Sequence, residues 1–221
     1  MVPRPPKPRS SEHLERLLDA AEQLFCEEGF LHLTTDVLAQ RLHCSKRTLY
    51  EIGAGRDRIF EVVLQRRTER LEGSLFAQID SAPNTEAALM ASVEAIVASL
   101  EGMSPIYLRD IQLFPAGIKL VKGFQRKLAD AIGRAIKRGE KEQLFRRIEP
   151  RVAAEALIAS INRMIQPDFL ATSSVTAAQA VSQVFQIFWG GLSRNQGGVQ
   201  KTRSPRSQSK RPAADKTAAE A

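Results

Sequence analysis

Residues 17–64 read LLDAAEQLFCEEGFLHLTTDVLAQRLHCSKRTLYEIGAGRDRIFEVVL. Leu14, just upstream, begins an apolar series with Leu17, Leu18, Ala21, Leu24 and Phe25 at steps of three and four, the period of a helix with one buried face. Gly29 closes that helix, because a C-terminal cap adopts a left-handed conformation most easily without a Cβ. Thr34 stands where a hydroxyl can accept an orphan N–H, and Asp36 puts a negative charge in the first turn of the next helix. Leu38, Ala39 and Leu42 give that helix one apolar face. His43-Cys44 reads as a tight connection, and Ser45 caps a third short helix through about Tyr50. The two glycines of EIGAGRD, residues 51–57, predict a loop. From Asp57 a long amphipathic helix uses Ile59, Phe60, Val63, Leu64, Leu71, Leu75 and Ile79.

Helical punctuation continues downstream. Asn84 caps a helix running to about Leu100. Ser104 and Pro105 open a short one that Pro115 ends. Ile118, Val121, Leu128, Ile132 and Ile136 line one side of a helix ending near Gly139, with a basic opposite face. Pro150 opens an Ala-rich helix to about Ile165, which Pro167 stops. Ser173 or Ser174 begins a last helix that closes at Gly190-Gly191. No strand-period alternation and no internal repeat is present. The expectation is an all-α fold of about nine helices. It divides into a basic disordered arm (1–10), a unit of three short helices (11–56), a larger helical unit (57–194) and a basic disordered tail (195–221).

Composition narrows the class. The chain has 221 residues, 43% hydrophobic and 26% charged, an ordinary globular balance. Aromatics are only 6%, which favours helix over sheet. No apolar run reaches the roughly 18–20 residues of a membrane span, and the opening MVPRPPKPRS has no apolar signal region. Cys26 and Cys44 do not make a disulfide framework. The expected setting is cytoplasmic, with no membrane partner. His13, His32 and His43 give no metal spacing, and no cofactor is expected. Without a Gly-rich phosphate loop or a G-x-S-x-G elbow, enzymatic chemistry is not expected. The net charge is +7. Arg41, Lys46, Arg47, Arg56 and Arg58 face only Glu51 and Asp57 across residues 40–58, a balance suited to a polyanion.

Two short helices joined by a tight turn form a helix-turn-helix, whose second helix enters the major groove. Lys46, Arg47, Thr48 and Glu51 are expected to face outward from its start. The ordered set Phe25, Gly29, Phe30, Thr34, Thr35, Ala39, Ser45, Thr48, Leu49, Tyr50 and Phe60 resembles the tetracycline-repressor (TetR) family of transcriptional regulators. The sequence departs from that family's usual pattern at His43, where the turn usually has Gly, at Ile52-Gly53, where an aromatic pair is usual, and at Gly55-Arg56, where Ser-Lys is usual.

The resemblance implies a repressor that a small-molecule effector releases from a palindromic operator in double-stranded DNA. It implies phosphate contacts from Thr35, Tyr50 and Arg56, and base or phosphate contacts from Ser45, Lys46, Arg47 and Thr48. It further implies a homodimer built on the last two helices, to which Ala156, Phe185, Phe188 and Trp189 are assigned, an intradomain core being the alternative for the aromatics. Expected walls of the effector pocket are Met103, Tyr107, Ile111, Phe114, Val121 and Met164, with Arg109 as a polar group. Arg109-Asp110 reads equally well as a surface pair, and Asn162 and Arg163 read as inward or surface residues. Alternative functions are a TetR-like activator and a sequence-tolerant DNA-organising protein. The latter would bind mainly through the tail, where six bases outnumber two acids.

Overall fold

A helix leaves its first N–H groups without intrahelical partners, and short polar side chains supply them here at half of the described starts. The computed structural model describes residues 11–193. Within them, α1 (Ser11–Glu28) ends at Gly29, whose φ of 80° is left-handed. Thr34 caps α2 (Thr35–Arg41), accepting from the Val37 N–H at 3.2 Å. Ser45 caps α3 (Lys46–Ile52) through the Thr48 N–H at 3.1 Å. Gly55, at φ 98°, begins α4 (Arg56–Ser81) with no side-chain cap. Asn84 caps α5 (Thr85–Leu100) and Ser104 caps α6 (Pro105–Leu113), as the sequence indicates. Then follow α7 (Pro115–Lys141), α8 (Pro150–Met164), α9 (Pro167–Thr172) and α10 (Ala177–Leu192).

The described residues therefore hold ten helices, one more than expected. Pro167 stops α8 as expected, but proline also suits the first helical position, and it opens the six-residue α9. The last helix begins not at Ser173 or Ser174 but after Thr176, which forms a capping box with Gln179. α7 ends at Lys141, two residues past Gly139. That glycine lies inside the helix, where a Cβ would sit 2.4 Å from the Phe145 ring. The arm expected over residues 1–10 and the tail expected over 195–221 lie outside the described residues, as does Arg194. No single described helix is long and apolar enough to cross a membrane.

Two apolar clusters organise the chain. The first joins α1, α2, α3 and the start of α4, with Phe25, Phe30 and Phe60 in mutual ring contact at 5.0–5.7 Å. It is not closed by these helices alone: Tyr107 and Phe114 enter from either end of α6, 6.0 and 5.7 Å from Phe30. The second cluster packs Leu75, Leu89, Leu128, Ile132, Phe145 and Phe185, among others, where α4, α5, α7, α8 and α10 meet. Phe185 is buried there within its own chain, and Trp189 packs edge-on against Phe145 at 5.6 Å. Phe188 packs against the same cluster, and both Phe188 and Trp189 are half-buried in the single chain.

Candidate nucleic-acid interface and interior cavity

The turn between α2 and α3 is closed by backbone hydrogen bonds. The Cys44 N–H donates to the Ala39 carbonyl at 2.9 Å, and the His43 N–H to Gln40 at 3.2 Å. His43 takes a φ of 49°. A non-glycine residue pays on the order of 1 kcal/mol there, and histidine is among the better tolerated types. Leu38 and Leu49, both fully buried, fasten the two helices to the first cluster. That leaves Lys46, Arg47, Tyr50 and Glu51 exposed on α3.

Thr48 is the exception to the expected outward set. It is buried, with Oγ1 2.8 Å from Ser45 Oγ, because residues 48, 49 and 52 share the inner face of so short a helix. Lys46 pairs with Asp36 across the turn, and that hydrogen bond holds its ammonium pKa above the ordinary value. Arg47 makes no ion pair among the described residues, and Tyr50 is 52% exposed. Arg56 is held more closely than expected. Its Nε donates to Asp57 at 3.0 Å, its Nη1 to the Leu31 carbonyl at 3.4 Å, and its guanidinium lies 5.6 Å from the Phe60 ring centre. Thr35 is half-buried at the first position of α2, and Ser45 is exposed although its hydroxyl caps α3.

A cavity of about 460 Å³ lies between α4, α5, α6, α7 and α8. That is within the usual range for a small-molecule site. Met103, Tyr107, Ile111 and Val121 are on its wall. Arg109, Phe114 and Met164 are not: Arg109 is exposed, Phe114 belongs to the first cluster and Met164 packs on the second. The wall also includes Leu64, Arg67 and Leu71 of α4, together with Gln125 and Asn162, whose amides hydrogen-bond across α7 and α8 at 2.7 Å. The apolar period of α4 marked Leu64 and Leu71, and nothing in the local sequence marked Arg67. Arg163 turns outward to Asp168 and Phe169.

The cavity and the helix-turn-helix share supports. Asp110 of α6 is fully buried, and its Oδ2 accepts the backbone N–H groups of Phe30 at 2.7 Å and Leu31 at 2.9 Å. A buried carboxylate without such donors would be very costly. Arg109 adds an ion pair at 3.0 Å. The Ser104 N–H donates to the Cys26 carbonyl at 2.8 Å. A Cβ on Gly29 would fall 2.5 Å from Ile106 Cγ2, so α6 lies directly on the turn after α1. Burial raises the pKa of both the Tyr107 phenol and the Cys26 thiol, so both remain protonated near neutrality. Arg67 bridges outward from the cavity wall, donating to Glu22 of α1 at 2.6 Å and to the Ser99 carbonyl of α5 at 2.5 Å.

Comparison with known proteins accords with this arrangement. Residues 17–52 match the model of the bacterial regulatory proteins of the tetR family. The HTH-type transcriptional activator FasR of Mycolicibacterium smegmatis is 26% identical over 190 residues, covering 82% of this chain and 84% of that protein. The ketosteroid transcriptional regulator KstR2 of Mycobacterium tuberculosis shares the fold at a TM-score of 0.62 and 18% identity, over 84% of this chain and 97% of that one. A transcriptional regulator from Saccharomonospora viridis, solved in complex with choline, does so at a TM-score of 0.67 and 16% identity, over 83% and 99%. The matched stretch is the one whose caps and turn build the α2–α3 pair, so residues 17–52 are similar to the DNA-binding segment of the tetR family and the chain as a whole shares the fold of these regulators.

Proposed function

We propose that the protein is a ligand-responsive repressor of the cytoplasm. As a homodimer it holds a palindromic operator through α3 and leaves it when a small molecule fills the interior cavity. The observation that carries this reading is the double engagement of α6. Tyr107 and Ile111 face the cavity, while Asp110 grips the backbone of the α1–α2 turn. A ligand that displaces α6 therefore acts directly on the DNA-binding helices. It shifts the equilibrium only by its difference in affinity between the two states.

In this reading residues 11–56 form the DNA-binding unit and 57–194 the effector and dimer unit. Arg47 and Lys46 read base edges or neighbouring phosphates, and Tyr50, Thr35 and Arg56 contact the backbone. Ser45 supports them by capping α3. The outward side of α8 and α10, with Val152 and Ala156 exposed and Ile187 75% exposed, is the dimer surface. Large apolar side chains left in water on two adjacent helices favour a second copy as the cover.

The test is footprinting on DNA flanking the protein's own coding region, with sedimentation of the free protein. A protected palindrome with half-sites one turn apart, or a multiple of it, and a dimer that Ile187→Glu dissociates are the expected results. Uniform protection without a preferred site would instead support the DNA-organising alternative. A second reading, activation, is favoured by the relative named an activator. Transcription in vitro from the footprinted promoter distinguishes the two: added protein lowers the transcript for a repressor and raises it for an activator.

A further inference from the structure

The interior cavity is not sealed on the α7–α8 side. Ile118, Lys122, Gln125, Ile158 and Asn162 border both it and a second, surface groove of about 670 Å³. The two spaces differ in chemistry. Inside, the wall is mainly aliphatic, with Leu64, Leu71, Ile96, Ile111, Val121 and Ile161. The guanidinium of Arg67 is already engaged by Glu22 and the Ser99 carbonyl. In the groove stand Lys119, Lys122 and Arg126, spaced three and four residues apart along α7, against a single acid, Glu155. All three cations are exposed, and none makes an ion pair among the described residues.

We infer that the effector is an amphipathic anion. Its apolar chain lies in the interior cavity, and its carboxylate or phosphate head emerges beside the Gln125–Asn162 pair to meet Lys122, Lys119 and Arg126. This inference rests on the reading of the cavity as the effector site and adds the ligand's chemical class. An anionic head held deep inside would be desolvated against aliphatic walls, where Arg67 is already committed to Glu22 and Ser99 and the other cation of the wall, Lys122, stands at the border with the groove. At the mouth it stays partly hydrated and gains charge complementarity from three bases, while the chain gains burial inside. A cationic head meets the opposite field there. Gln125 and Asn162, joined across the opening, form its polar threshold.

The test is calorimetric titration of the full chain with dodecanoate, dodecyl phosphate, dodecanol and dodecyltrimethylammonium, each below its micellar concentration. The anions are expected to bind roughly tenfold more tightly than dodecanol, the advantage shrinking with salt, since each exposed ion pair contributes only modestly. Whichever anion binds more tightly identifies the head group. The double variant Lys122→Glu, Arg126→Glu should lose that advantage while keeping the dodecanol affinity and the wild-type melting temperature. Val121→Trp, which narrows the cavity, should weaken all four probes; Ile111→Phe serves if that variant does not fold.

Equal affinity for anions and dodecanol overturns the inference while leaving the effector cavity in place. Anion binding that survives both cavity variants also overturns it, because it reports capture by the basic surface of α7. If no probe binds the wild-type chain, the effector reading of the cavity fails together with the inference.

Discussion

α3 and α6 begin in the same way and end in opposite roles. Each is short, seven and nine residues, and each starts with a serine whose hydroxyl accepts the N–H three residues on at 3.1 Å. On α3 the polarity is ordinary: Leu49 is buried and Lys46, Arg47 and Tyr50 face water. On α6 it is partly inverted. Asp110 and Tyr107 are buried, whereas Leu113 is 63% exposed. The difference lies in what each helix meets. The inner face of α3 rests on an apolar cluster, whereas α6 also meets the end of α1, where two backbone N–H groups point outward and need an acceptor. The lesson is that a local cap determines that a helix starts, while its neighbours determine which side chains become interior.

The largest effect expected from breaking this contrast is at Asp110. Asp110→Ala leaves the Phe30 and Leu31 N–H groups without their acceptor and should destabilise the protein by about 3–5 kcal/mol, at about 1–3 per unsatisfied group or more for a charged acceptor. Urea unfolding checks this, and a loss under about 1 kcal/mol would show that α6 does not hold the turn. Next comes Gly29→Ala, which places a Cβ against Ile106 and Asp110 at a left-handed φ. About 2–3 kcal/mol should be lost, from strain and overpacking together, and the melting temperature should fall accordingly.

Substitutions on α3 should act on DNA rather than on folding. Arg47→Ala should weaken binding to the footprinted site by roughly 1–3 kcal/mol and relax preference at one base pair, with unfolding unchanged. Anisotropy titrations on the site and on single-base variants measure it; equal loss on every sequence would make Arg47 a phosphate contact instead. Thr48→Val sharpens the contrast from the other side. Because the hydroxyl is turned inward, about 0.5–1.5 kcal/mol of stability should be lost, with base preference intact. A changed base preference would return Thr48 to the reading surface. The smallest effect is expected from Tyr50→Phe, which should cost roughly 0.5–1.5 kcal/mol of affinity on all sequences alike and nothing in stability.

The amino-acid sequence alone determined the all-α class, the α2–α3 pair and most helix starts. These rest on interactions three or four residues long, such as Thr34 with Val37, Ser45 with Thr48, Asn84 with Ala87 and Ser104 with Tyr107. Of the six apolar side chains expected around the pocket that the resemblance implies, Met103, Tyr107, Ile111 and Val121 line the cavity, and Phe114 and Met164 do not. Only the tertiary structure decided the rest. Asp110 is one letter whether it pairs on a surface or accepts N–H groups 80 and 79 residues away. Arg67 and Glu22 meet across 45 residues. Phe114 and Phe185 are apolar in any reading, and only packing says which cluster takes each ring. Burial of a charge or an aromatic depends on a partner distant in the chain, and a pattern with a period of three to four residues carries no record of that partner.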